Sequence, residues 1–151
     1  MSLVRLTTLA PTRIAAVRRR TTFPEVPRTL LAGLDVVWSA VRSRPLDGPG
    51  RNVAIYHKLG GDDVDLVCGV EIAERFDDIG EVACAWTPSG EAGHATHVGP
   101  YHRLGETYDA VAAFVLQAGR RLAPVNWEIY GHWNEDPTKL ETEVHMLLKL
   151  D

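Results

Sequence analysis

The spacing of apolar and polar positions predicts two helices. From about Pro24 or Pro27 to Ser43, apolar side chains recur at helical intervals and form one stripe, which consists of Leu30, Leu31, Leu34, Val37, Trp38 and Val41. A second helix is expected to open at Gly99-Pro100 and to present one apolar face, made of Leu104, Tyr108, Val111 and Val115. Gly119 follows as its expected left-handed C-cap.

The remaining apolar segments are short and are bounded by glycine and proline, which is the pattern of strands. The predicted strands are Thr12–Thr22, Arg51–Lys58, Val64–Ile72, Glu81–Thr87, Glu91–His97, Val125–Gly131 and Glu143–Leu150. Arg44-Pro45 is expected to stop the first helix, and Leu46–Gly50 to form a turn. The chain therefore begins with strand, helix, strand, strand, and then repeats that order after a polar connector.

An overlay of the two halves indicates an ancient duplication. Setting Tyr56 on Tyr130 also superimposes four further identical pairs, namely Asp35 on Asp109, Val37 on Val111, Val41 on Val115 and Ile55 on Ile129. The prediction is an α+β fold of two βαββ repeats related by a pseudo-twofold, with an antiparallel sheet, two helices and a central ligand groove. The halves cover about residues 12–73 and 81–151 of a single domain, 1–151.

Composition narrows the function. The chain has 151 residues and a net charge of −4, which disfavours direct nucleic-acid binding because that needs a basic surface. No apolar run approaches the ~20 residues needed to span a bilayer, and the N-terminus does not have the pattern of a signal peptide. Cys68 and Cys84 are too few for a disulfide scaffold. We therefore expect a cytoplasmic protein with reduced thiols and no membrane partner.

Four segments of the chain carry a family resemblance. They are Gly93–Tyr101, which ends in Gly-Pro-Tyr, the Glu-x-Tyr strand Asn126–Tyr130, the Asn/Asp-Pro loop Asn134–Pro137 and the turn Thr87–Gly90. Together they resemble the GyrI-like small-molecule-binding domains, most specifically in the second half. The resemblance implies two βαββ halves around a central ligand groove.

The resemblance also implies several roles. Relatives serve as effector-binding domains of AraC-type and multidrug-responsive regulators, whereas others stand alone, and some of those resemble hydrolases of cyclopropane-bearing toxins. About eleven residues precede the first predicted strand, which leaves no room for a helix-turn-helix. We therefore expect a stand-alone form, which as a regulator would need a separate DNA-binding partner.

Glu128 is the main candidate for chemistry. A charged side chain is disfavoured in a strand of Trp, Ile and Tyr unless it is paired or functional. Alternation places Glu128 and Tyr130 on one face of the strand and Trp127 and Ile129 on the other. The spacing alone favours an outward Glu with a salt bridge to a Lys or Arg. The resemblance reverses this preference and implies a functional Glu128 at the floor of the groove.

The other candidate ligand contacts are aromatic. They are Tyr130, Tyr56, Trp38, Tyr108, Trp86, Tyr101 and Trp133. The repeat predicts that Tyr56 and Tyr130 face each other, although two core tyrosines are an equal alternative. Trp86 is expected in a hairpin that leads the second half, and Tyr101 at the end of the cleft.

Three histidines are candidate ligands for a metal ion. His94, His97 and His102 are close along the chain and Cys84 precedes them, but a metal needs three or four converging ligands. His94 and His97 lie three apart on a predicted strand and point to opposite faces. The sequence therefore predicts no metal and no cofactor.

Three functions remain open. The favoured one is a binding protein that captures aromatic, amphipathic and often cationic compounds, for sensing or sequestration. The second is a hydrolase of strained electrophiles, in which Glu128 and Tyr130 or Tyr56 activate water. The third is an inhibitor that acts on a protein partner, as the gyrase inhibitors do. The sequence does not determine the natural ligand, whether the protein binds that ligand or turns it over, or the oligomeric state.

Overall fold

The computed structural model describes residues 3–43 and 49–150. Its two helices are α1 (Val26–Ser43) and α2 (Leu104–Gln117), each preceded by one 3₁₀ turn. The described strands are β1 (Arg5–Leu9), β2 (Arg13–Thr22), β3 (Asn52–Gly60), β4 (Asp63–Glu71), β5 (Ala83–Trp86), β6 (Gly90–Val98), β7 (Leu122–Tyr130) and β8 (Glu141–Leu148). The predicted stop at Arg44-Pro45 and most of the turn at Leu46–Gly50 fall outside the described residues.

The chain divides into two compact units with the same internal topology. The N-unit is Pro11–Pro88, and the C-unit is Met1–Ala10 together with Ser89–Asp151. Antiparallel pairing orders the strands β3-β4-β2-β5 in the N-unit and β7-β8-β6-β1 in the C-unit. Each unit therefore contains a strand–helix–strand–strand repeat with one added outer strand. The predicted α+β class and its antiparallel βαββ repeats are confirmed.

The outer strands differ from the sequence prediction. Arg5–Leu9 was not predicted as a strand, yet it pairs with β6 along the edge of the C-unit. Ala83–Trp86 was expected to lead the second half, but it pairs with β2 of the N-unit instead. Both segments are short, and their pairing partners lie far along the chain. Local periodicity therefore could not assign them.

Helix α1 packs on β2 and β4, and its buried stripe is rotated from the predicted one. A Cβ atom at Gly33 would lie 2.5 Å from Cys68 Sγ, so glycine lets the helix approach β4 closely. The contact centres the buried face on Gly33 and Val37. Leu31 lies roughly 120° around the helix from Val37 and is 67% exposed, against the prediction.

Helix α2 packs on the C-unit sheet through the predicted face. The buried cluster beneath it consists of Ala95, Val111, Val115, Val144, Met146 and Leu148, with Leu104 and Tyr108 packed against its margin. A Cβ at Gly93 would come within 2.8 Å of both Val111 and Val115, so only glycine fits between the helix and β6. The helix thereby lies directly over β6 and β8.

The C-terminus of α2 has the predicted glycine cap. Gly119 has a φ of 74°, its N–H donates to the carbonyl of Leu116, and the N–H of Arg120 donates to the carbonyl of Val115. These two bonds form a Schellman motif and pair carbonyls that the helix end would otherwise leave open. Within the described part of the chain, neither helix combines the length and apolar character that crossing a membrane requires.

Candidate functional site

Strand β7 presents two chemically different faces, as alternation predicts. Asn126 and Glu128 pair across the ladder with Met146 and Val144, which belong to the cluster under α2. Trp127 instead pairs with His145 and stacks on its ring with 4.8 Å between centroids. The face of β7 that carries Glu128 is therefore on the same side of the sheet as α2.

A hydrogen-bond network surrounds the Glu128 carboxylate. The Tyr108 hydroxyl donates to Oε2 of Glu128 at 2.6 Å, and the Tyr130 hydroxyl donates to Oε1. Asn126 Nδ2 donates in turn to the Tyr108 oxygen at 2.9 Å. Two predicted site residues, one from α2 and one from β7, are thus in direct contact with Glu128.

The direction of these bonds suits an ionised carboxylate. Each oxygen of Glu128 accepts a hydrogen bond from a phenol, and the Tyr108 hydroxyl uses its one hydrogen to donate to Glu128 while its oxygen accepts from Asn126. Charge-assisted bonds of this kind are shorter and stronger than bonds between neutral groups. Glu128 is only 5% exposed, so the charge is held in a weakly solvated position. The outward-facing alternative for this residue is therefore wrong.

Asn126 adds an unused acceptor to the network. Its Oδ1 is buried and has no hydrogen-bond partner within the described residues. A buried polar atom without a partner costs free energy, of the order of 1–3 kcal/mol. A donor on a ligand would remove that cost. Asn126 was not among the predicted site residues, because an Asn at the start of a strand does not by itself indicate a ligand site.

Tyr101 forms the solvent-facing edge of the cluster. Its ring meets that of Tyr130 edge-on, with centroids 5.7 Å apart, and it is 40% exposed. Desolvation by burial raises the pKa of the Tyr101 phenol above its usual value, so the group is neutral at physiological pH. The rings of Tyr101 and Tyr130 thus lead from solvent toward the carboxylate.

Of the other predicted site residues, three belong to the N-unit and one lies in a loop of the C-unit. Tyr56 is buried in the N-unit and stacks on Phe23, and Trp38 donates from Nε1 to Asn52 Oδ1 at 2.8 Å. Trp86 is on the outer strand of the N-unit, where it lies under the Arg13 guanidinium. Trp133 is in a C-unit loop and is 74% exposed. A ligand-binding role for these four residues stays a prediction.

His97 has a structural role. Its Nε2 lies 3.0 Å from the Pro100 carbonyl, which can only accept, and Nδ1 lies 2.7 Å from the Thr107 hydroxyl. The neutral ring therefore carries its proton on Nε2 and accepts from Thr107. These bonds fix the chain where β6 turns into α2. His94 points to the other face of β6, so the expectation that the two histidines diverge is confirmed.

A different group on that other face has the chemistry of metal ligands. One ligand atom from each of His94, Glu143 and His145 lies within 4.8 Å of the others. Proximity along the chain does not reveal this group, because its members lie on two strands that are distant in sequence. The pairing of β6 with β8 brings together residues about fifty positions apart.

Comparison with known proteins identifies the fold. No family model matches the sequence, and no curated protein matches it. The EcmrR C-terminal domain aligns with 99% of this chain and 98% of its own, with a TM-score of 0.79 and 18% identity. SAV2435 bound to tetraphenylphosphonium aligns with 97% of this chain and 94% of its own, with a TM-score of 0.68 and 13% identity.

A further solved structure is a hydrolase from Listeria innocua, which aligns with 97% of this chain and 91% of its own at a TM-score of 0.67 and 12% identity. At these identities the likeness concerns the fold. This chain has the GyrI-like fold that the resemblance in its second half predicted.

Proposed function

We propose that this chain binds aromatic, lipophilic cations and that Glu128 recognises their positive charge. The observation that carries the proposal is a carboxylate 5% exposed, held by Tyr108 and Tyr130, with Tyr101 at its margin. Burial lowers the effective dielectric around the charge, so its attraction for a cation is stronger than in bulk water. Sensing and sequestration both require such a site.

The aromatic rings give the site its preference for organic cations. A cation over the face of a tyrosine ring gains about 0.5–2 kcal/mol, depending on how far it is desolvated. Tyr101 and Tyr130 already meet edge-on, and a flat ligand can add a third ring to that arrangement. The unused acceptor of Asn126 would favour ligands that also carry an N–H or O–H group.

Two of the compared structures support this proposal. SAV2435, which has the same fold, is bound to tetraphenylphosphonium, an aromatic lipophilic cation. The EcmrR domain, a C-terminal domain of a longer protein, is an effector-binding domain of the GyrI-like fold. We extend the aromatic cationic ligand of SAV2435 and the effector-binding role of the EcmrR domain to this chain. In this proposal the chain is a cytoplasmic binding protein that does not itself contact nucleic acid.

The test is a fluorescence titration of a cationic rhodamine against the wild-type protein and two variants. Glu128→Gln keeps the shape of the side chain and removes its charge, and Glu135→Gln removes an exposed charge from a loop of the same unit. Loss of a desolvated charge pair costs of the order of 2–4 kcal/mol, which is about 30- to 1000-fold in affinity. Glu135→Gln should change affinity less than about threefold.

The same titration can contradict the proposal. Equal rhodamine affinity in the wild type and Glu128→Gln would exclude charge recognition by this carboxylate. Circular dichroism in the near ultraviolet should match between the two proteins, because glutamine can accept a hydrogen bond from one tyrosine and donate one to the other. A binding loss with a matching spectrum therefore reports on charge and not on misfolding.

Hydrolysis is the second candidate function. One compared structure is described as a hydrolase, and a buried carboxylate next to two phenols has the composition of a general base with acidic partners. In this reading Glu128 takes a proton from water, and the water oxygen forms a C–O bond to a cyclopropane carbon as the strained C–C bond breaks. Tyr130 donates its proton to the conjugated carbonyl oxygen that receives the electron pair of the broken bond, and the proton on Glu128 then restores Tyr130. Time-dependent loss of a cyclopropane-bearing electrophile with wild type, and none with Glu128→Gln, would replace the binding function with this one.

A further inference from the structure

The face of the C-unit sheet opposite α2 carries a compact group of metal-ligating side chains, defined here as the β6–β8 triad: His94, Glu143 and His145. His94 and His145 are directly paired across the antiparallel ladder, and Glu143 precedes His145 by two positions on β8. All three side chains therefore project from the same face. His94 Nε2 lies 3.5 Å from Glu143 Oε1.

The histidine rings of the triad are positioned by stacking. His145 lies between two rings, with centroids 4.6 Å from His94 and 4.8 Å from Trp127. Neighbours on both sides limit the rotation of the His145 ring and reduce the entropy that ligand binding would cost. The two imidazoles are thus held face to face, with 20° between their planes, before any ion arrives.

The hydrogen bonding of His94 leaves a ligand atom available. Among the described residues, the buried His94 Nε2 has no hydrogen-bond partner, although a carboxylate oxygen lies 3.5 Å away. The side chains of His94 and Glu143 are 13% and 31% exposed, so an ion can reach the triad from solvent. Purely structural histidines normally satisfy both ring nitrogens when they are buried, as His97 does.

We propose that the β6–β8 triad binds a divalent transition-metal ion of the zinc type. Two imidazoles and one carboxylate are a ligand set of zinc sites that keep a fourth position open. Ligand atoms 2.0–2.2 Å from zinc lie roughly 3.5 Å apart, so closure from 4.8 Å needs a shift of about 1 Å. Small rotations of the triad side chains can supply it. This site is on the opposite face of the sheet from Glu128.

The experiment uses the untagged full chain, freed of metal by a chelator, in competition with a chromophoric zinc indicator. We expect one Zn²⁺ per chain with micromolar or tighter affinity. His94→Gln and Glu143→Gln should each weaken binding by at least about tenfold, because each removes one ligand. The control His102→Gln removes an exposed histidine outside the triad and should change affinity less than about threefold.

A second readout does not depend on the indicator. Co²⁺ bound by the wild type should give visible d–d absorption bands that Glu143→Gln weakens or shifts, because the band intensity follows coordination geometry. The partly exposed position of Glu143 makes this variant the least disturbing to the fold. Absence of saturable Zn²⁺ binding in the micromolar range, or equal affinity in the wild type and both triad variants, would overturn the proposal.

Discussion

The Tyr108 hydroxyl donates a 2.6 Å hydrogen bond to Oε2 of Glu128, and this bond joins the N-terminal half of α2 to β7. The same oxygen of Tyr108 accepts from Asn126, so one phenol connects a helix to two positions on a strand. Tyr130 reaches the other carboxylate oxygen from only two residues away. The network that holds the proposed binding charge is therefore also a tertiary contact.

The two tyrosines should contribute unequally to stability. Tyr108→Phe removes a bond to a charged group and leaves Asn126 Nδ2 without its acceptor, which should lower the free energy of unfolding by about 1.5–3 kcal/mol. Tyr130→Phe removes one bond from a half-buried ring and should cost about 1 kcal/mol. Urea unfolding followed by circular dichroism measures both. A loss for Tyr130→Phe that equals or exceeds that for Tyr108→Phe would contradict this account of the network.

The close packing of α2 on β6 gives a second prediction. Gly93→Ala places a methyl group within 2.8 Å of Val111 and Val115, and relief of that overlap should cost about 1–3 kcal/mol in the free energy of unfolding. Gly105→Ala is the matched control, because no atom lies within 4 Å of the added Cβ and alanine favours a helix. The control should be neutral or stabilise by up to about 1 kcal/mol. Equal effects of the two substitutions would show that Gly93 is not a packing requirement.

The Cys68 thiol gives a prediction about pH. Desolvation raises its pKa from 9.0 to about 11, against a smaller opposing effect of Arg19. The unfolded thiol ionises first, so its contribution to stability is complete below about pH 9 and is lost as the pH rises toward 11. Cys68→Ala should remove this part of the alkaline decline in thermal unfolding temperature.

Alkylation provides an independent check on the same thiol. At pH 8 iodoacetamide should modify the half-buried Cys84 before the buried Cys68, and mass spectrometry of peptides separates the two. Denaturant should bring Cys68 to the rate of an ordinary thiol. Native-state modification of Cys68 as fast as that of Cys84 would mean that α1 does not cover it.

The repeating elements were predictable from sequence because each has a strong local signal. The stripe around Val37, the face around Val111 and the cap at Gly119 all follow from helical spacing and glycine chemistry. Strand β1 was not predicted, and β5 was predicted as a strand but placed in the wrong half, because four or five residues of weak alternation do not specify a pairing partner. The exposure of Leu31 could not be predicted either, because the rotation of α1 about its axis depends on the contact of Gly33 with Cys68.

Some contacts of the candidate site could likewise be predicted from the sequence, and others could not. Alternation along β7 predicted that Glu128 and Tyr130 share a face, and they do. The participation of Asn126 depends on the position of Tyr108, which only the packing of α2 determines. The pairing of His94 with His145 depends on the register between β6 and β8. The periodicity of a single strand or helix therefore could not predict contacts between different elements.

The central claim is that the charge of Glu128, and not merely an apolar surface, selects the ligand. Methyltriphenylphosphonium and triphenylphosphine oxide have similar shape and aromatic area, and they differ in net charge. Isothermal titration of both ligands against the wild type and Glu128→Gln forms a cycle that isolates the charge contribution.

We predict that the substitution weakens binding of the phosphonium by about 30- to 1000-fold, corresponding to about 2–4 kcal/mol, and changes binding of the neutral oxide less than about threefold. The ratio of the two affinities should therefore fall by more than tenfold between the wild type and Glu128→Gln. An unchanged ratio, whether both affinities drop together or neither moves, would contradict charge recognition at Glu128.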